Sequence, residues 1–194
     1  MANHKCRAIY HRAFGVPVVF LHGFSFTSNV WRRTGVTGLL MEKRVPFLAL
    51  DMPYGLKSEC EPRTRDVEVN VAVVREAVQK IFDSVAPVLV GASLGGHVAL
   101  KYAVRFPVKG LLLMAPVRVL EETLAQAYSQ FRFPVRIICG SEDKVVSLEE
   151  LRDLAYRLPN AKLKVYEGAG HAAYLDYPER FKRDLLELYV AAEQ

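Results

Sequence analysis

The apolar run Pro87-Val88-Leu89-Val90 leads into Gly91-Ala92-Ser93-Leu94-Gly95-Gly96-His97, after which Val98, Leu100, Tyr102, Ala103 and Phe106 follow in a helical pattern. A buried strand that turns straight into a helix through G-x-S-x-G constrains the chain strongly. The turn drives its middle residue into a strained backbone conformation. Glycines two before and two after remove side chains that would collide there. The Ser93 hydroxyl is then lifted above the strand end, at the positive end of the following helix. Glycine and serine are also common in ordinary turns, so a nucleophilic role for Ser93 requires a base, an acid and an oxyanion hole elsewhere in the chain.

The remaining pattern supplies a fold for such a site. Apolar runs at 16–21, 45–50, 109–115, 134–140 and 162–166 read as strands buried on both faces. A short alternation around Ala8-Ile9-Tyr10 suggests a further strand near the amino end. Between them lie helical stretches at 28–43, 65–84, 120–131 and 147–158, and a last one beginning at Pro178. The stretch 65–84 is the clearest amphipathic helix, with Val67, Val71, Val74, Val78 and Ile81 at three- and four-residue steps. Gly35 and Gly38 weaken the first stretch. Trp31, Val36, Leu39 and Leu40 are its inward residues. Ser147 with Glu150 makes a capping box for the helix at 148–158. Alternating strands and helices predict an α/β class chain over 1–194, one domain with a mainly parallel sheet of six to seven strands and helices on both faces. Ligands bind such sheets beyond the carboxyl ends of the strands.

The candidate partners of Ser93 fall there. Asp143 lies in Gly140-Ser141-Glu142-Asp143 after one strand, and His171 in Gly168-Ala169-Gly170-His171 after the last. The chemistry needs all three: a serine hydroxyl is a weak nucleophile until a base takes its proton, and an acid must hold the imidazole in one tautomer and stabilise its charged form. Glu142 is a neighbouring acid, and His4, His11, His22 and His97 are the other histidines. The order Ser93, Asp143, His171 matches one known arrangement and not the two common protease orders. Leu94 directly after the serine, and Phe24 in His22-Gly23-Phe24 after the strand 16–21, are the expected backbone donors of the oxyanion hole.

At these residues the chain resembles the α/β-hydrolase-fold serine hydrolases. Leu21-His22-Gly23-Phe24 is similar to that family's oxyanion motif. Asp51-Met52-Pro53-Tyr54-Gly55-Leu56-Lys57-Ser58 resembles its D-x-P-G-x-G-x-S loop, with Tyr54 and Lys57 departing from the usual small residues. Gly168 to His171, with Tyr174-Leu175-Asp176, and the region around Trp31 are similar to the small capless proteins grouped as α/β-hydrolase-domain-containing protein 14. Larger members insert a cap after the strand equivalent to 109–115. Here only residues 116–134 are available, which hold one helix and no cap. The resemblance implies a shallow, open site and a carboxylesterase-like activity on small acyl esters through a seryl-acyl intermediate. Thioester, amide or deacetylase-type acyl transfer on the same triad is the nearest alternative. A non-catalytic interaction protein that kept the fold is another. Aspartate replaces the serine in haloalkane dehalogenases and epoxide hydrolases, so Ser93 argues against those chemistries.

Phe26, Tyr54 and Tyr174 are expected to line the substrate pocket, with Phe24 beside them and Trp31 assigned to the core. The chain has no phosphate-cradling glycine loop and no metal-ligand spacing, so neither cofactor nor metal is expected. Its net charge of +5 is scattered, Arg32-Arg33 and Arg63 with Arg65 being the densest groups. With no basic stripe and no interleaved aromatics, a nucleic-acid partner is not expected, though a mild preference for anionic substrates is consistent with it. No apolar run reaches the roughly 20 residues of a membrane span, and no apolar leader follows the first residues. These readings predict a cytoplasmic protein without membrane association. Cys139 ends an apolar strand and is expected to be a buried thiol. Cys6 and Cys60 can pair only if the fold brings them together.

Overall fold

The computed structural model describes residues 3–194; the first two residues of the amino-terminal stretch, Met1 and Ala2, lie outside the described part. The chain runs through β1 (Lys5–Cys6), β2 (Ala8–His11), β3 (Val18–Leu21), α1 (Asn29–Arg33), α2 (Val36–Glu42), β4 (Phe47–Leu50), β5 (Cys60–Glu61) and α3 (Val67–Phe82). It continues through β6 (Val88–Ala92), α4 (Leu94–Arg105), β7 (Gly110–Met114), α5 (Glu122–Ala125), β8 (Val135–Gly140), α6 (Leu148–Arg157), β9 (Ala161–Tyr166), α7 (Ala173–Asp176) and α8 (Pro178–Glu193).

Seven strands form one sheet in the order β2-β4-β3-β6-β7-β8-β9. All its pairings are parallel except that of the edge strand β2 with β4. Strand residues alternate between two apolar layers. Val19, Leu21, Leu48, Leu111, Leu113 and Ile137 pack with the apolar faces of α3, α4 and α6. Val18, Phe20, Phe47, Leu112, Met114 and Ile138 pack with α1, α2 and α8. This explains why the central strands read as continuous apolar runs: each face of the sheet has its own cover of helices.

The strand order also decides where a ligand can sit. From β3 the chain passes through α1 and α2 to β4 on one side, then crosses back through α3 to β6 on the other. The loops leaving β3 and β6 therefore diverge, opening a crevice at the carboxyl ends of these neighbouring strands.

Two helical stretches differ from the sequence expectation. The stretch 28–43 breaks into α1 and α2: Thr34 Oγ1 donates to the Trp31 carbonyl at 2.8 Å, and Gly35 stands at φ +76°. The stretch 120–131 holds only α5 and one 3-10 turn at Tyr128–Gln130. There the Tyr128 hydroxyl donates to the Val119 carbonyl at 2.5 Å, folding the segment back on itself in place of a longer helix. The segment between β7 and β8 thus carries no cap. At the amino end, β1 pairs with β5 so that Cys6 faces Cys60, and a disulfide joins them. Cys139 is a buried free thiol. Among the described residues no helix is long and apolar enough to cross a membrane.

Trp31 is the pivot of the second layer. It is fully buried, stacks on Tyr174 with ring centres 5.2 Å apart, and meets Phe20 at 5.0 Å and Phe181 at 6.1 Å. It thereby joins α1, β3, α7 and α8 behind the crevice. Trp31→Ala is expected to destabilise the fold by about 3–5 kcal/mol, the usual cost of emptying a large aromatic site. Urea unfolding of the two proteins checks it; a loss under about 1 kcal/mol would mean that this cluster does not hold the layer together.

Candidate active site

Ser93 stands between β6 and α4 with φ +51° and ψ −113°, a backbone conformation that side chains resist. Neighbouring hydrogen bonds hold it there: its N–H donates to the Met114 carbonyl at 2.8 Å, and its carbonyl accepts from Gly96 N–H at 3.0 Å and His97 N–H at 3.3 Å. Gly95 is needed for close approach. A Cβ at that position would run into the Leu21 and His22 carbonyl oxygens. Without it, the first turn of α4 rests directly on the backbone leaving β3. The Leu94 N–H, first of the helix and so without an intrahelical acceptor, is brought next to the 22–24 loop.

Asp143 and His171 meet as the sequence suggests. His171 Nδ1 lies 2.8 Å from Asp143 Oδ2, while Asp143 Oδ1 accepts from Val145 N–H at 2.7 Å and Val146 N–H at 3.1 Å. The Asp143 side chain is 3% exposed against 28% for the imidazole, so the carboxylate is fixed from behind while the ring reaches toward solvent. The two loops touch because residue 140 is glycine: a Cβ there would overlap the Ala169 and Gly170 carbonyl oxygens. Gly170 N–H donates to Asp176 Oδ2 at 3.0 Å, which steadies the histidine loop. Glu142 is exposed and contributes its N–H to Ala169, 2.9 Å away. His97, in α4, is buried beside Glu121 and does not line the cavity that Ser93 and His171 share.

The 22–24 loop is anchored by His22, which the sequence places in the His22-Gly23-Phe24 stretch as well as among the histidines other than His171. His22 is wholly buried. Its Nε2 accepts from Met52 N–H at 3.0 Å, which leaves the proton on Nδ1 to donate to the Gly23 carbonyl at 2.8 Å. The His22 carbonyl accepts from the Tyr54 hydroxyl at 2.5 Å. Asp51, also buried, accepts from Ser28 N–H and from Glu59 N–H, both at 2.7 Å. The loops after β3 and β4 are thus tied together by groups that have no water to bond with. Phe24 is held at the mouth, its carbonyl accepting from Leu56 N–H at 2.8 Å. Neither Phe24 N–H nor Leu94 N–H meets an acceptor among the described residues, as donors reserved for a developing oxyanion would require. Met52, whose N–H the ring accepts, lies 30 residues from His22 in sequence, which is why no spacing rule reveals the contact.

Ser93, His171, Phe24, Phe26 and Tyr174 line one cavity of about 130 Å³, closed by Ala172 and Val145. Tyr54 is the exception among the expected pocket residues: its hydroxyl is drawn inward by the His22 carbonyl, so its ring lies beneath the oxyanion loop and borders a neighbouring recess instead. Trp31 stacks behind Tyr174 and does not reach the cavity. Among the described residues no cluster of histidine, cysteine and carboxylate side chains could hold a metal ion.

The profile of the Alpha/beta hydrolase family matches residues 18–136, well over half of the chain. The chain belongs to the alpha/beta hydrolase family. It is 33% identical to Protein ABHD14A of Homo sapiens over 183 residues, 91% of this chain and 65% of that protein; it spans about two thirds of that relative's length. ABHD14B of Homo sapiens, described by its name as a candidate protein-lysine deacylase, is 29% identical over 88% of this chain and 81% of its own length. Among solved structures, one described as a CIB-like hydrolase from Thermoplasma acidophilum shares the fold with a TM-score of 0.79 at 22% identity, covering 95% of this chain and 98% of that one.

Burial lowers the His22 pKa from its ordinary 6.5, opposed in part by the Gly23 hydrogen bond and the Asp51 charge. Burial acts the same way on His97. At a pH below about 6.5 the unfolded chain therefore binds protons that the folded chain refuses, and stability falls as the pH drops toward the folded values. Above that range both states are neutral and the effect vanishes. Urea midpoints of the wild type are expected to decline from pH 7 to pH 5, with a shallower decline in His22→Gln; equal slopes would contradict a buried neutral His22.

Proposed function

We propose that the protein is a serine hydrolase of small acyl esters working through a seryl-acyl intermediate. The observation that carries this reading is the 2.8 Å pairing of His171 Nδ1 with Asp143, facing the same small cavity as the strained Ser93. With Nδ1 bonded to the carboxylate, Nε2 is the nitrogen left to act as base. It takes the Ser93 proton as Oγ attacks the carbonyl carbon. The carbonyl oxygen gains charge, which the Phe24 and Leu94 N–H groups stabilise. Collapse expels the alcohol with the proton from His171, and a water activated by the same nitrogen releases the acid.

The size of the cavity supports a short acyl group. Phe26 and Tyr174 stand edge to face with ring centres 6.4 Å apart, and Tyr174 is braced from behind by Trp31, so this wall does not yield easily. About 130 Å³ suits acetyl to butyryl chains and leaves a long acyl chain without a buried groove.

Amide cleavage at an acylated lysine is the second reading, favoured by the description of ABHD14B. It would use the same steps, His171 protonating the departing amine. Competition between an acetyl-lysine peptide and an acetyl ester separates the two.

Purified protein is expected to hydrolyse p-nitrophenyl acetate and butyrate faster than the octanoate, and Ser93→Ala to lose on the order of 10⁴-fold or more in kcat. Preference for octanoate would contradict the small-acyl reading, and equal activity of Ser93→Ala would contradict the nucleophile. His171→Ala is expected to lose activity to a similar extent, since the serine then has no base; near-wild-type turnover would remove His171 as the base.

A further inference from the structure

The cavity around Ser93 holds about 130 Å³, and Phe24 forms part of its wall. On the far side of that ring lies a second recess of about 300 Å³ bordered by Pro53, Gly55, Leu56, Arg63 and Arg65. Tyr54 and Arg65 also line a small crevice of about 10 Å³, which Arg118 borders together with Leu94 and His97. Phe24 therefore stands between an apolar cavity and a recess bordered by arginines.

The three arginines differ in what they already hold. Arg63 is committed to its own loop, donating to the Leu56 carbonyl at 2.8 Å and to Glu61 at 3.3 Å. Arg65 and Arg118 take part in no ion pair among the described residues. The carboxylates nearest in the fold are spoken for. Asp66 caps α3 by accepting from Glu68 and Val69 N–H, Glu61 pairs with Arg63, and Glu121 is held by Lys101 and His97. Arg65 lies over the Phe24 ring with its guanidinium carbon 4.9 Å from the ring centre. Stacking restrains the side chain and leaves its edge N–H groups free, the geometry that suits bidentate recognition of a carboxylate or phosphate. The Ser93 cavity, by contrast, has no arginine or lysine in its lining.

We propose that Arg65 and Arg118 form an anion-binding subsite for the leaving-group side of the substrate, so that the preferred substrates join a short acyl group to an alcohol, thiol or amine bearing a phosphate or carboxylate. This rests on Ser93 acting as the nucleophile and extends that reading from the acyl group to its acceptor. Arg63 and Arg65 were the densest basic pair in the chain beside Arg32-Arg33, and the fold gathers them at the rim of the site while leaving the net charge dispersed elsewhere.

The test compares three acetyl esters with similar phenolic leaving groups: 4-acetoxybenzamide, 4-acetoxybenzoate and 4-acetoxyphenyl phosphate, carrying no charge, one and about two negative charges. In low salt, kcat/KM is expected to rise along the series, through KM more than kcat. The ratio of the phosphate to the amide ester is expected to fall about ten-fold in Arg65→Gln/Arg118→Gln and to shrink with added sodium chloride. Both arginines are exposed, so the double variant is expected to fold. Arg12→Gln/Lys80→Gln controls for the loss of two charges: Arg12 follows β2, whose last residue pairs with the first of β4, at the sheet end opposite the site, and Lys80 borders the same recess as Arg12. Its ratio is expected to match the wild type. Equal efficiency on all three esters, or a ratio that survives the Arg65/Arg118 double variant or falls equally in the control, would overturn the subsite while leaving the serine-hydrolase reading intact. No turnover of any ester by folded protein would overturn that reading, and the subsite with it.

Discussion

The contact on which the site depends is the seating of the first turn of α4 on the backbone leaving β3. Gly95 has no side chain to keep the helix off the Leu21 and His22 carbonyls. That one approach does two things at once. It completes the tight turn that holds Ser93 at φ +51°, and it brings the Leu94 N–H alongside the loop that carries the Phe24 N–H. The parallel pairing of β3 with β6, in register from Val18 and Val88 to Leu21 and Gly91, sets the two loops at the same height. The crossover through β4 makes them diverge and leaves room for a substrate.

Buried polar groups hold this arrangement where apolar packing alone would leave it loose. His22 and Asp51 are both without solvent contact, and each bonds backbone groups from other loops. Such groups are costly to leave unpaired in a low-dielectric interior. A displacement of the 22–24 loop would therefore break several bonds together, which favours one geometry over many. Asp143 follows the same logic on the other side of the crevice: two backbone N–H groups grip one oxygen, and the other is left for His171. On the acyl side, Trp31, Tyr174 and Phe26 form a graded wall from core to cavity.

Much of this was legible in the sequence because the informative residues lie where patterns change. Ser93, Asp143 and His171 each follow an apolar strand and precede a turn or helix, so their relative placement follows from the α/β rule that loops at the carboxyl ends of strands converge. The parallel strands were visible as uniform apolar runs for the same reason that they are buried on both faces. An aromatic residue in a loop near the site says nothing about where its hydroxyl points: the His22 carbonyl takes that of Tyr54 inward, and the residue borders the neighbouring recess. The motif around His22 is visible in the sequence, but not what its ring bonds, since its partners are backbone atoms, which leave no trace in residue types. The break at Gly35 and the short α5 show the same limit, both depending on side chain to carbonyl bonds from Thr34 and Tyr128 that local propensity does not weigh. The pairing of Cys6 with Cys60 depended on the register of β1 with β5, 54 residues apart, and could only be read in the folded chain.

We propose that this geometry makes Ser93 chemically unlike any other serine of the chain. Reaction of the folded protein with a fluorophosphonate, followed by intact mass and peptide mapping, tests it without presuming a substrate. The account predicts a single adduct, on Ser93, that is lost on denaturation before labelling and greatly slowed in His171→Ala. Absence of labelling in folded protein, or an adduct spread over several serines, would contradict it.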